Sequence, residues 1–164
     1  MPKSNLGGKR AIKSSISQGS LNRYFKGIRN SAISPETQKN LSNTAFKYGN
    51  KDIITDSYSM YFLNKTGLKY GKNESLSNMA KDIEKQINDA SGFKDINSYI
   101  TDNKYYNVDS TQVYGFDTSR VKRARIMLGK DAQATIVYNN IGQPMMAIKN
   151  KKGEKGWILP VRSI

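Results

Sequence analysis

Apolar positions recur along this chain with two different spacings. Over residues 74–90 they fall three and four apart. Leu76, Met79, Ala80, Ile83, Ile87 and Ala90 share one side of a helical wheel, while Lys81, Asp82, Glu84, Lys85 and Asp89 take the other and Gly92 ends the run. That spacing predicts a core helix, and its mixed-sign exterior suits solvent better than phosphate. Shorter stripes of the same kind precede it. Leu21, Tyr24, Phe25 and Ile28 follow the N-cap candidate Ser20, with Arg23, Lys26 and Arg29 opposite. Ser34, Pro35 and Glu36 read as the cap, first position and first turn of a second helix, with Leu41, Ala45 and Phe46 inward and Gly49 at its end. Residues 56–63 gather Tyr58, Met60, Tyr61, Phe62 and Leu63 into a run read as helix, although its aromatic density also suits a strand. Residues 93–100 add a further turn or two, and residues 101–115, rich in Asp, Asn and Tyr, read as a connection.

In the last third the period changes. Residues 134–138, 145–148 and 157–161 are short apolar runs rich in Val, Ile and aromatic side chains, separated by the turn-type stretches 139–142 and 149–156. They predict a three-stranded antiparallel meander over 134–162, with Pro144 and Pro160 at strand starts or edges because proline cannot donate to a ladder. The expected fold class is α+β. An N-terminal basic, flexible arm over 1–19 precedes a single domain over 20–164. That domain holds several short amphipathic helices within 20–100, a basic segment over 117–129 opened by Asp117 and Thr118 as caps, and the C-terminal meander.

Charge changes the picture most. Lys and Arg number 27 against 13 Asp and Glu, a net charge of +14 to which no histidine contributes. Residues 1–50 hold nine bases and one acid, residues 51–100 seven of each, and residues 101–164 eleven bases and five acids. Basic ends around a neutral middle point to a polyanionic partner, which relieves self-repulsion. The residues absent from the chain exclude whole reaction classes. Without Cys there is no disulfide, thiol nucleophile or cysteine zinc site, and without His no histidine base, imidazole ligand or Ser-His-Asp triad. No metal or other cofactor is expected. No run approaches the roughly 18 apolar residues that span a bilayer, and no apolar signal-peptide core is present at the start, so a soluble protein with no membrane partner is expected, in the cytoplasm or within a virion or nucleoprotein particle. The abundance of Asn, Lys, Ile and Tyr is a bias that AT-rich coding produces in many bacteria and their phages.

Phosphate contact would draw on three groups of bases. Lys9, Arg10 and Lys13 lie in the arm and Arg23, Lys26 and Arg29 on the first helix. The densest cluster is Arg120, Lys122, Arg123 and Arg125, where guanidinium forks match phosphate oxygens. Lys149, Lys151, Lys152 and Lys155 sit on a glycine-containing hairpin tip expected to be flexible, a placement that also guards sheet edges. Trp157 is expected to pack in the core rather than stack on a base. The function expected from these residues is a non-catalytic basic protein that binds DNA or RNA, or docks in a nucleoprotein assembly, through Arg and Lys contacts to phosphates. Two alternatives stand beside it. One is a small histidine-free, metal-independent ribonuclease using Arg123, Arg125, Tyr138, Glu154 and Arg162, since guanidinium groups can stabilise a transition state. The other is a structural or inhibitory protein gripping an acidic protein surface.

Overall fold

The computed structural model of the chain describes residues 16–29, 43–56, 58–72, 74–108 and 113–162. Its first strands arise from tight reversals. The two-residue loop Gly49-Asn50, with Gly49 at φ +58°, folds β1 (Thr44–Tyr48) back onto β2 (Lys51–Thr55). The Asp56 carboxylate then accepts hydrogen bonds from the Tyr58 and Ser59 N–H groups at 3.0 and 2.8 Å, turning the chain into β3 (Ser59–Leu63). β4 (Lys69–Tyr70) returns parallel to β1. Helix α1 (Gln18–Arg29) precedes these strands, and α2 (Glu74–Asp89) and the short β5 (Lys94–Asp95) follow them. A 3₁₀ turn (Ile96–Tyr99), β6 (Tyr105–Asn107) and β7 (Tyr114–Asp117) lead to α3 (Thr118–Leu128), then to β8 (Gln133–Tyr138), β9 (Pro144–Lys149), β10 (Lys155–Ile158) and β11 (Val161–Arg162).

Among the described residues, eight strands form one sheet in the order β4-β1-β2-β3-β10-β9-β8-β5, and three form a second in the order β11-β7-β6. Every pairing is antiparallel except that of β1 with β4. The large sheet is buried on both faces. One face packs Ile54, Tyr61, Leu63, Met146, Ile148 and Ile158 against Leu21, Tyr24 and Phe25 of α1 and Val121, Ala124, Met127 and Leu128 of α3. The other packs Phe46, Ile53, Met60, Phe62, Ala147 and Trp157 against Leu76, Ala80 and Ile87 of α2. α2 is pinned further by Glu84, which accepts a hydrogen bond from the Tyr48 hydroxyl at 3.1 Å and pairs with Lys155 at 3.0 Å.

This architecture overturns the expected arrangement of a few short helices followed by one C-terminal meander. Residues 44–48, read as the end of a helix, are β1, and the rest of that expected helix lies outside the described residues. The aromatic run read as helix is β3, whose five residues are all buried. With helices on both faces, no polar position recurs every second residue, so the run carries no strand signature. The expected connection over 101–115 contains β6 and the start of β7. The meander strands β8, β9 and β10 do pair in sequence, but inside a larger sheet, and Val161 belongs to the second sheet. On α2, Met79 is 54% exposed instead of inward-facing. The expected arm over 1–19 falls outside the described residues up to residue 15, and α1 already begins at Gln18.

Candidate functional site

α1 and α3 lie together on one face of the large sheet, joined through their shared apolar cluster. α3 starts where the Asp117 side chain accepts a hydrogen bond from the Ser119 N–H at 2.9 Å. Burial pushes the Asp117 carboxyl up, but the hydrogen bonds from Ser119 and the nearby Arg120 charge outweigh it and hold the group below its ordinary value. Once the apolar stripes of the two helices are buried, every charged residue that remains on them is a base. α1 holds Arg23, Lys26 and Arg29 and α3 holds Arg120, Lys122, Arg123 and Arg125, with no acid in either helix. α2, on the opposite face, holds four acids and two bases. The net charge of +14 is thus unevenly divided across the sheet.

A buried carboxylate organises this face. Asp56 is 3% exposed and accepts hydrogen bonds from the Ser59 hydroxyl at 2.8 Å and the Tyr24 hydroxyl of α1 at 3.0 Å, besides the two backbone bonds of its turn. The Arg123 guanidinium stands 4.0 Å from it. Arg120 stacks 3.9 Å over the Tyr58 ring, and its Nη1 is shielded from solvent with no hydrogen-bond partner. Burial, reinforced by the Asp56 charge, pushes the Tyr24 and Tyr61 hydroxyls well above the ordinary tyrosine range, so both stay protonated. Arg120 and Arg123 are thus half-buried, Arg120 against the Tyr58 ring and Arg123 beside the Asp56 carboxylate, and Arg125 donates to the Asn97 side chain at 2.7 Å. Arg23, Lys26 and Lys122 remain exposed to solvent. Lys122 and Lys104 flank an open cleft of about 430 Å³ beside the start of α3.

The hairpin tip is built differently from the flexible loop expected. Asn150 donates from Nδ2 to the Leu128 carbonyl and to Glu154 Oε1, both at 3.0 Å, and its Oδ1 accepts from the Lys152 and Glu154 N–H groups at the same distance. Glu154 is fully buried and also accepts from the Asn64 N–H at 2.9 Å. Asn64 donates in turn to the Lys152 carbonyl at 3.1 Å. This bonding fixes the turn against α3. Only Lys151 and Lys152 project from it. Together with Lys130 they border a cleft of about 350 Å³ floored by Leu128, beside a second of about 470 Å³ lined by Asp95, Asp131, Gln133 and Lys149. Lys149 itself lies in β9 with its ammonium 4.2 Å over the Phe93 ring, and Lys155, its cross-strand partner on the same face, pairs with Glu84 of α2. Trp157 is 4% exposed in the core.

The bases expected to touch phosphate are therefore not one surface. Arg23, Lys26, Arg120, Lys122 and Arg123 sit on the two helices of one face. Lys151 and Lys152 project from the hairpin tip. Lys9, Arg10 and Lys13 lie outside the described residues, as does the side chain of Arg29. The five residues considered for ribonuclease chemistry are not brought together. Tyr138 pairs with Pro144 at one end of β9 and Glu154 is buried beyond the other end, where Lys149 pairs with Lys155. Arg162 belongs to the second sheet. Sequence reasoning missed Asp56, Tyr58 and Tyr24, although Asp56 followed by Ser59 across a break between two apolar runs is a turn signature. Among the described residues, no cluster of acids is placed to hold a metal ion, and no helix is long and apolar enough to cross a membrane. Comparison with protein-family models, with curated proteins and with solved structures finds no match for this chain.

Proposed function

We propose that the protein binds nucleic acid, gripping phosphates and not reading base sequence, through the face formed by α1 and α3. One-sided charge carries this reading. Seven bases and no acid occupy the two helices on one side of the sheet, while acids outnumber bases on the helix across it. A phosphate backbone is the complementary surface, and each cation that meets it releases condensed counterions. In this reading Arg23, Lys26 and Lys122 make the contacts. Arg120 and Arg123, held by Tyr58 and Asp56, set the position of α3 beneath them. Lys151 and Lys152 supply a second point of attachment on a rigid turn. The binding is non-catalytic, and docking within a nucleoprotein assembly is the setting it suits.

The test is a titration of labelled single- and double-stranded oligonucleotides by fluorescence anisotropy. Affinity should fall by orders of magnitude between roughly 50 and 200 mM salt. Replacing Arg23, Lys26 and Lys122 together by glutamine should reduce the logarithmic salt slope by about one for each cation neutralised. The melting temperature should stay unchanged, since all three side chains are exposed. Mixed RNA incubated with the protein, with and without a chelator, should remain intact. A salt-insensitive affinity, or an unchanged slope in the triple variant, refutes the proposal. Chelator-resistant cleavage of the RNA would replace it with the ribonuclease alternative.

A further inference from the structure

A guanidinium carries five N–H donors, and a half-buried one ordinarily spends them on hydrogen bonds. Arg120 and Arg123 of α3 are half-buried, yet neither side chain donates a hydrogen bond to any described residue. Arg120 meets Tyr58 through the face of its fork, 3.9 Å from the ring centre, and of its guanidinium nitrogens only Nη1 is shielded from solvent. The edge made by Nε and Nη2 is therefore open. Arg123 stands 4.0 Å from Asp56, too far for a hydrogen bond, with its side chain 27% exposed. The neighbouring acids are engaged elsewhere. Asp56 Oδ1 accepts from the Tyr58 and Ser59 N–H groups and the Ser59 hydroxyl, and Oδ2 accepts from the Tyr24 hydroxyl. Asp117, whose carboxyl feels the Arg120 charge, is bonded by the N–H and hydroxyl of Ser119.

We infer that Arg120 and Arg123 together clamp one phosphate group. Three positions apart on α3, they are neighbours on one side of the helix, with Cβ atoms about 5–6 Å apart. Both charges act on the Tyr61 hydroxyl, which brings the two guanidiniums near one point of the sheet. Donor geometry selects the ligand. A planar carboxylate matches a single fork, whereas a phosphate presents its oxygens tetrahedrally and accepts from two forks at once. The Tyr58 ring and the Asp56 charge hold the forks in place beforehand, which lowers the ordering cost of binding. The clamp rests on the phosphate-gripping role proposed above, to which it adds one discrete, saturable position. Holding α3 in place uses the face of Arg120 and the charge of Arg123, and leaves their N–H donors to the ligand.

Thermal unfolding of the full chain in sodium phosphate, against sodium chloride and sodium acetate at equal pH and ionic strength, reads the site. Phosphate should raise the melting temperature saturably, by roughly 3–6 °C at ten times the dissociation constant. Because phosphate also stabilises folded chains generally, the clamp is the part of the rise that Arg120→Met and Arg123→Met each remove. Arg120→Lys, which keeps the charge and loses the fork, should weaken phosphate binding, and Lys81→Gln on α2 should leave it intact. In chloride the melting temperature of Arg120→Met should hold or rise, since a shielded N–H without a partner is removed and the packing on Tyr58 is kept. A brace with no ligand would instead lose stability there. With oligonucleotides, tighter binding of a 5′-phosphorylated strand assigns the clamp to strand ends, equal affinity assigns it to internal phosphodiesters, and Arg120→Met should weaken either. A phosphate rise that is the same in both Met variants, or an equal rise in acetate, overturns the clamp. Oligonucleotide binding whose salt slope still falls in the Arg23, Lys26 and Lys122 triple variant survives that outcome, so the two readings fail separately. If Arg123→Met misfolds, Arg120→Met decides alone.

Discussion

Asn150→Ala tests whether the hairpin tip is held by the bonds described. The substitution removes four side-chain hydrogen bonds, two donated and two accepted, each 3.0 Å long. The Lys152 N–H is exposed and regains water. The other three partners are the Leu128 carbonyl, the Glu154 N–H and Glu154 Oε1, and they lie in the buried side of the turn. A buried group left without its partner costs about 1–3 kcal/mol, more when it is charged. Relaxation recovers part of this, and Glu154 keeps its bond from the Asn64 N–H. The expected loss is about 3 kcal/mol, which for a chain of this size lowers the melting temperature by roughly 10 °C. Urea unfolding should show a lower midpoint with an unchanged slope. Combined with Glu154→Gln in a double-mutant cycle, the two changes should be non-additive by about 1 kcal/mol or more. A cost below about 1 kcal/mol, or strict additivity, would refute the view that Asn150 and Glu154 form one unit.

Gly156→Ala should destabilise by overpacking, because an added Cβ would stand 2.8 Å from Leu128 Cδ1 and 3.1 and 3.2 Å from the Tyr61 ring. A loss of about 1–3 kcal/mol in urea unfolding is expected, and unchanged stability would show that the α3–β10 contact is loose. Asp117, held below its ordinary value, contributes stability that is present above the unfolded carboxyl value near pH 4 and lost as pH falls through the folded one. Melting curves on descent from neutral pH into the acid range should therefore fall less steeply for Asp117→Asn than for the native chain, from a lower starting point, and parallel curves would remove that assignment.

The readability of the sequence followed local environment. α2 shows its period because only one of its sides meets the sheet, as Leu76, Ala80 and Ile87 record. β8 and β9 announce themselves through turn residues at 139–142. In β3 and β2 the same reasoning fails, because Tyr61 and Ile54 pack against one layer while Phe62 and Ile53 pack against the other. Burial on both faces erases alternation, and the pairing of Met60 with Trp157 joins positions that no local window can relate. The site was legible as composition but not as geometry. Four clustered bases mark α3 plainly, yet nothing in their spacing tells that Arg123 turns towards Asp56 while Lys122 turns to solvent. Glu154 reads as one acid in a lysine-rich loop, and only its distant partner Asn64 reveals it as a buried anchor.

The β3–β10 seam has a kinetic consequence. On either side of it the sheet is a local meander, β1-β2-β3 and β8-β9-β10, each built from neighbouring strands that close short loops. Joining them closes a loop of nearly a hundred residues, with Met60 meeting Trp157. Loop-closure entropy makes such a docking late and slow relative to hairpin formation. Until it happens, β3 presents an unpaired edge with the uncharged sequence SMYFL, the kind of segment that recruits other chains. The interval between hairpin formation and docking is thus when the chain is most prone to aggregate. Refolding yield should therefore depend on protein concentration far more than native stability does.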